Sequence, residues 1–223
     1  MSNICVSRAT VKGKGVEIMY KEMDKAFVEP LRKNERLYLE HLLDHMGLTD
    51  DGRYCIEGYV TWFEYSNDEL LIDMESSWSP QLDAIVLMQM QYAPDAEVFY
   101  WATEPNEDIF WTNDPSFIGN YSIDVFDDVP EYDRAYEKYE EVFSCEPDTF
   151  VLPPKDLEFI LKTSLNRDTT ELSGDKEMLE DLIEDAKDWL DSISVHQWAE
   201  TGIHNIVSFG MPKHFMKGEK YEV

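Results

Sequence analysis

From Tyr54 to Asp133 the chain runs eighty residues without a Lys or Arg, while carrying eighteen Asp or Glu. Such charge in a segment poor in apolar residues gives disorder. This segment is instead crowded with aromatics, among them Trp62, Phe63, Trp78, Phe99, Tyr100, Trp101, Phe110 and Trp111. It therefore predicts a folded core beneath a negative skin. The rest of the chain extends the bias. Net charge is −28 over 223 residues, with residues 1–36 at +3 and residues 37–223 at −31. Phosphate contacts need Lys and Arg, so direct binding of nucleic acid is not expected, and anionic membranes are disfavoured for the same reason.

At 43% hydrophobic the chain can build one good core, or one domain with a sizeable extension. Cys5, Cys55 and Cys145 are odd in number and widely spaced, which suits small thiols in a reducing compartment. No basic-then-apolar leader opens the sequence, and no run approaches about 18 apolar residues. A soluble, cytoplasmic protein is the expectation.

Residues 4–11 alternate as a strand does, and Gly13 and Gly15 end it. Val16, Met19, Tyr20, Met23 and Phe27 then fall at helical spacing. Pro30 is expected to break that helix, with a second one from Leu31 to Met46 stopped by Gly47. Residues 58–65 and 70–76 read as a hairpin turned by Ser66-Asn67-Asp68. Ser79-Pro80 reads as the cap and first turn of another helix, ending before Pro94, and residues 97–103 as a strand.

The order β, α, β, β, α, β predicts an α+β domain over residues 1–127 of the ferredoxin-like, split βαβ type, an antiparallel sheet with helices on one face. Residues 109–112 and 121–126 predict further strands. Residues 128–223 predict an acidic, mainly helical extension. Its parts are a helix bearing Tyr132, Tyr136, Tyr139 and Phe143, a short helix after Pro153-Pro154, and a long one over 175–192. A last strand is expected at 203–209.

Two places resemble the YubB-like family of ferredoxin-like proteins carried by phages and plasmids. One is the opening Met1-Ser2-Asn3-Ile4-Cys5 with Thr10, Val11 and Gly13. The other is Trp78-Ser79-Pro80, an apolar helix, Tyr92-Ala93-Pro94, Glu104 and Gly119-Asn120-Tyr121. The likeness spans about residues 1–127 and departs where Ser7-Arg8 stand in place of the family's Asn. It implies the ferredoxin-like fold and a mobile-element origin. It carries over no activity.

No catalytic motif completes. His41 and His45 have the spacing of a metal pair, with Glu40, Asp44 and Cys55 near in sequence, but no Glu stands between them as in a zinc protease. Asp124, Asp127, Asp128, Glu131 and Asp133 lack the register of a calcium loop. There is no Gly-x-Ser-x-Gly and no phosphate loop. Neither metal nor cofactor is expected, and the chain reads as a non-enzyme.

What stands out is the extent of one charge. Residues 124–148 hold ten acids against two bases, and the helix over 175–192 puts eight acids and two lysines opposite its apolar stripe. On a helix, acids three or four apart lie about 5–6 Å from each other, whereas duplex DNA presents about one charge per 1.7 Å. The sequence thus favours a nucleic-acid mimic that binds a basic nucleic-acid-reading protein or nuclease complex, an inhibitor of the anti-CRISPR or anti-restriction kind. The expected contact residues are Asp124, Asp127, Asp128, Glu131, Tyr132, Tyr136, Glu137, Glu140, Glu141, Asp181, Glu184 and Asp188. The tyrosines would serve as anchors if partly exposed, and would otherwise be a core face. Two other readings stay open: an acidic accessory protein whose charge serves solubility, and a divalent-metal enzyme using the aspartates near 124–133.

Overall fold

The computed structural model describes residues 4–33, 35–48, 57–77, 79–104, 109–125, 129–189 and 192–202. The fold is α+β, with a mostly antiparallel sheet and six helices among the described residues. Two compact units divide the chain, one of residues 1–114 with 200–223 and one of residues 115–199. The division comes earlier than the expected 127, because residues 121–125 pair with C-terminal segments rather than with the large sheet.

The first unit begins with β1 (Ile4–Lys12), α1 (Val16–Lys33), β2 (Leu37–Tyr38) and α2 (Leu39–His45). It continues with β3 (Tyr59–Ser66), β4 (Glu69–Ser77), α3 (Asp83–Tyr92), β5 (Glu97–Glu104) and β6 (Ile109–Thr112). Its sheet runs β2-β3-β4-β1-β5-β6 and ends on the two-residue β9 (Ala199–Glu200). β1 lies between β4 and β5, antiparallel to both, with Arg8 opposite Asp73 on one side and Trp101 on the other. The hairpin β3–β4 turns on Asn67 and Asp68, both at positive φ, the two-residue turn whose twist suits paired strands.

One sheet face is the core. Ala9 and Val11 of β1 and Leu70, Ile72 and Met74 of β4 pack with Met19 and Met23 of α1, Leu42 and Leu43 of α2, and Ile85 and Met88 of α3. Each of these side chains larger than alanine contributes about 1.5–3 kcal/mol by leaving water. The face shows in the alternate burial of β1 and β4, where every second residue is inside.

Two helix expectations need correction. Pro30 lies inside α1, which runs unbroken to Lys33. A proline removes one helical hydrogen bond, and so close to the helix end little regular structure follows to be broken. α3 starts at Asp83 rather than at Ser79, whose carbonyl instead accepts a bond from the Ser76 hydroxyl at 2.7 Å. Gly47 does stop α2: at φ +69 its N–H reaches the Asp44 carbonyl while the Leu48 N–H reaches Leu43.

Gly15 opens α1 under tighter constraint. It sits at φ +93, and a Cβ there would lie 2.5 Å from the Tyr92 carbonyl oxygen at the end of α3. A Cβ on Gly47 would meet nothing within 4 Å. Gly15→Ala is therefore expected to cost about 2–4 kcal/mol, strain plus overpacking. Gly47→Ala is expected to cost only about 1 kcal/mol. Urea unfolding of the two variants side by side measures the difference.

The second unit holds β7 (Tyr121–Val125), α4 (Pro130–Phe143), α5 (Pro154–Ser164), α6 (Lys176–Trp189) and β8 (Ile193–Gln197). β7 pairs antiparallel with β8, and Tyr121 also bridges Leu152. β8 begins at Ile193, directly after the helix expected over 175–192. The strand expected at 203–209 lies outside the described residues. α5 is the centre of this unit, packed by α4 and by α6 and buried over Leu157–Leu161.

Candidate functional site

The acidic candidates sit on α4 and α6, whose inner faces are fixed by packing. Tyr132, Ala135 and Tyr139 of α4 and Leu179, Leu182 and Ala186 of α6 are buried in one cluster with Leu157, Ile160 and Leu161 of α5. Helical periodicity then leaves Glu137, Glu141, Glu177, Asp181 and Glu184 exposed, with Glu140 half-buried. Asp175 starts α6, its carboxylate accepting the Glu177 and Met178 N–H groups at 3.1 and 3.2 Å.

Cations do little to quench these helices. Lys176 lies 3.8 Å from Glu180, and Arg167 pairs with Asp185. Glu137, Glu140, Glu141, Glu177, Asp181 and Glu184 have no ion-pair partner within 4.0 Å among the described residues. Like charges at this spacing oppose one another by a few tenths of a kcal/mol, about 0.2–0.5 per pair.

The other expected contact residues divide. Asp124 and Glu131 are half-buried, Asp124 on β7 opposite Ser194. Asp127, Asp128 and the side chain of Asp188 lie outside the described residues. Tyr132 is a correction: its ring is in the core, so it is no surface anchor. Burial, then the charges of Tyr136 and Asp133, pushes its hydroxyl up to about 12. Tyr139 is equally internal, tilted against Phe143 and edge-on to Phe159. Tyr136 is half-buried and its hydroxyl is raised, by burial first and then by Glu146 and Glu140.

Two features of this unit were not foreseen. Glu158 on α5 is 0% exposed, yet its carboxylate lies 2.6 Å from the Lys162 ammonium and accepts the Gly174 N–H at 2.7 Å. The i,i+4 spacing of Glu158 and Lys162 was the available signal. Trp198, just past β8, is also buried and edge-on to Phe117 and Phe150.

In the first unit, His41 stands edge-on to Tyr38 at 5.7 Å. Tyr38, Glu40, His41, Glu57 and Gly58 line an open cleft of about 340 Å³. No group of three His, Cys, Asp or Glu able to hold a metal ion occurs among the described residues. Cys5 is buried, and burial, moderated by Ser76 and reinforced by Glu104, pushes its thiol up to about 12. A thiol held protonated is a poor nucleophile. Burial also raises the Asp83 carboxyl to about 6. Cys145 is exposed.

No family model, curated protein or solved structure matches this chain. What the chain can do rests on its own surface. No helix among the described residues is long and apolar enough to cross a membrane. The sheet face opposite the core carries Arg8 between two indoles, its guanidinium 6.0 Å from the Trp62 ring and 5.8 Å from the Trp101 ring. Asp73 holds that guanidinium at both ends, at 2.5 and 2.7 Å. Such a fork is more specific than a single ion pair.

Proposed function

We propose that the chain is a non-enzymatic inhibitor from a phage or other mobile element, a nucleic-acid mimic that occupies the basic groove of a host defence nuclease complex of the CRISPR or restriction type. It acts in the host cytoplasm and binds protein, not nucleic acid or membrane. The strand order β3-β4-β1-β5, antiparallel throughout, supports a ferredoxin-like first unit in keeping with the YubB-like resemblance. The second unit is its acidic extension.

The observation that carries the reading is the six carboxylates of α4 and α6 without an ion-pair partner among the described residues, standing on helices whose other faces are fixed by α5. A soluble protein can spread its charge and pair it. Rows of unpaired acids cost repulsion that a cationic partner relieves, and opposite charge speeds encounter.

The test neutralises each helix separately, Glu137→Gln, Glu140→Gln and Glu141→Gln in one variant, Asp181→Asn, Glu184→Gln and Asp188→Asn in the other. With unchanged circular dichroism, each is expected to weaken binding to a nuclease complex about tenfold, three contacts at roughly 0.5 kcal/mol apiece. DNA is expected to compete with the wild type. Wild-type binding by both variants, or indifference to DNA, rules the mimic out.

A further inference from the structure

The open face of the sheet formed by β3, β4 and β1 has its own chemistry. Register places Trp62, Asp73, Arg8 and Trp101 in one row across the strands, with Glu64, Leu71, Thr10 and Phe99 in the next. Trp62 is 43% exposed and Val6, one row the other way, 39%. The Arg8 guanidinium lies over the Trp62 ring at 6.0 Å, and the indole still keeps that exposure, in a face where apolar and acidic side chains alternate.

We infer that this face docks an arginine-bearing segment of a protein partner. The inference rests on the reading above in one respect, that the partner is basic. Charge selects the occupant. Three cations of the face are already engaged: Arg8 with Asp73, Lys12 with Glu69 at 3.2 Å and over the Phe99 ring at 5.6 Å, and Arg36 over the Tyr59 ring at 4.1 Å. Five carboxylates, those of Glu64, Glu69, Asp73, Glu75 and Glu97, share the face with them, so it is negative on balance.

Phosphates are repelled by such a face, and so is a second copy of it. A guanidinium is attracted, and the protein already shows how it would be held. Arg8 combines aromatic planes with a carboxylate fork, and the exposed part of Trp62 stands beside Glu64, two residues along the same face. Lysine would gain from the charge but not from the stacking, since a guanidinium is flat and weakly hydrated whereas an ammonium is not.

The experiment titrates the full chain with hexa-arginine, hexa-lysine and a single-stranded oligothymidylate, following the indole N–H resonances by two-dimensional NMR. Hexa-arginine is expected to shift the Trp62 and Trp101 signals and to bind about two- to fivefold tighter than hexa-lysine. Trp62→Ala, a change at an exposed position, is expected to abolish that preference, and the amide variants of α4 and α6 to retain it. Equal binding of the two peptides, or a preference that survives Trp62→Ala, overturns the inference. So do indole shifts caused by the oligonucleotide or by raising the protein concentration alone. Because the peptides need no nuclease, the docking face can fail while the mimic stands, and the reverse.

Discussion

Glu158→Ala is expected to destabilise the second unit by about 3–5 kcal/mol, the cost of breaking a buried ion pair from one side. The carboxylate is wholly enclosed on the innermost helix, where one oxygen meets Lys162 and the other the Gly174 N–H. Lys162 in turn donates to the Glu171 carbonyl at 2.9 Å, so the pair ties α5 to the segment leading into α6. Removing the acid leaves a largely buried ammonium without its counter-charge. Glu158→Gln keeps the volume and an acceptor for Gly174, and is expected to cost less, about 1–3 kcal/mol. Urea midpoints measure both.

The same group gives a pH dependence of defined sign. Burial alone would raise the Glu158 carboxyl, but the hydrogen bonds from Lys162 and Gly174 and the Lys162 charge outweigh it, and hold it below the ordinary value of 4.5. The unfolded chain then binds this proton more readily than the folded one. The stabilisation is fully present above about pH 4.5 and is lost as pH falls through the folded value. Protonating the surface acids relieves repulsion over the same range, so the useful quantity is wild type minus Glu158→Gln. That difference is expected to shrink below pH 4.5 and stay flat above it. A difference that does not change with pH would mean that Glu158 is not ionised in the folded state.

The sheet of the first unit was legible because its signals are local. The alternation of β1, the Asn67-Asp68 turn and the stripe Val16, Met19, Met23 each fix an element without reference to distant residues. The open face was not legible. Val6 and Ile4 are as apolar as the core positions opposite them, so periodicity finds the strand without saying which side is covered. The Arg8–Asp73 fork joins residues 65 apart, a distance no spacing rule spans.

In the second unit, Ile193 continues the apolar stripe of α6 at helical spacing, and the five-residue β8 that starts there was not expected. The run Leu157–Leu161 read as a short helix, because apolar residues interrupted only by Glu158 do not distinguish a helix at the edge from one at the centre. The acidic rows of α4 and α6 were visible from spacing. Their tyrosine stripe stayed open to either side, since aromatics at helical period serve a core or an interface equally well, and Tyr132 falls in the core.

Trp198→Ala is expected to cost about 3–5 kcal/mol, comparable with the loss of Glu158 but through a different cause. The ring is 2% exposed and stands edge-on between Phe117 at 4.9 Å and Phe150 at 5.1 Å. Its indole N–H donates to the Phe150 carbonyl at 2.9 Å, and its backbone N–H to the Asn120 carbonyl at 3.0 Å. One residue thus closes the end of the β7–β8 pair and covers the segment before α5. Alanine leaves a cavity and frees a part-buried carbonyl. Trp198→Phe keeps most of the edge-to-face packing and loses the donor, so its cost is expected to be about 1–2 kcal/mol. Because a domain of this size is stable by only about 5–15 kcal/mol, the alanine variant is expected to lose much of its margin. Denaturant titration followed by near-ultraviolet circular dichroism separates the two variants. An alanine variant as stable as the phenylalanine one would mean that the Phe117 and Phe150 rings close over the gap, and that the hydrogen bond rather than the ring held this end together.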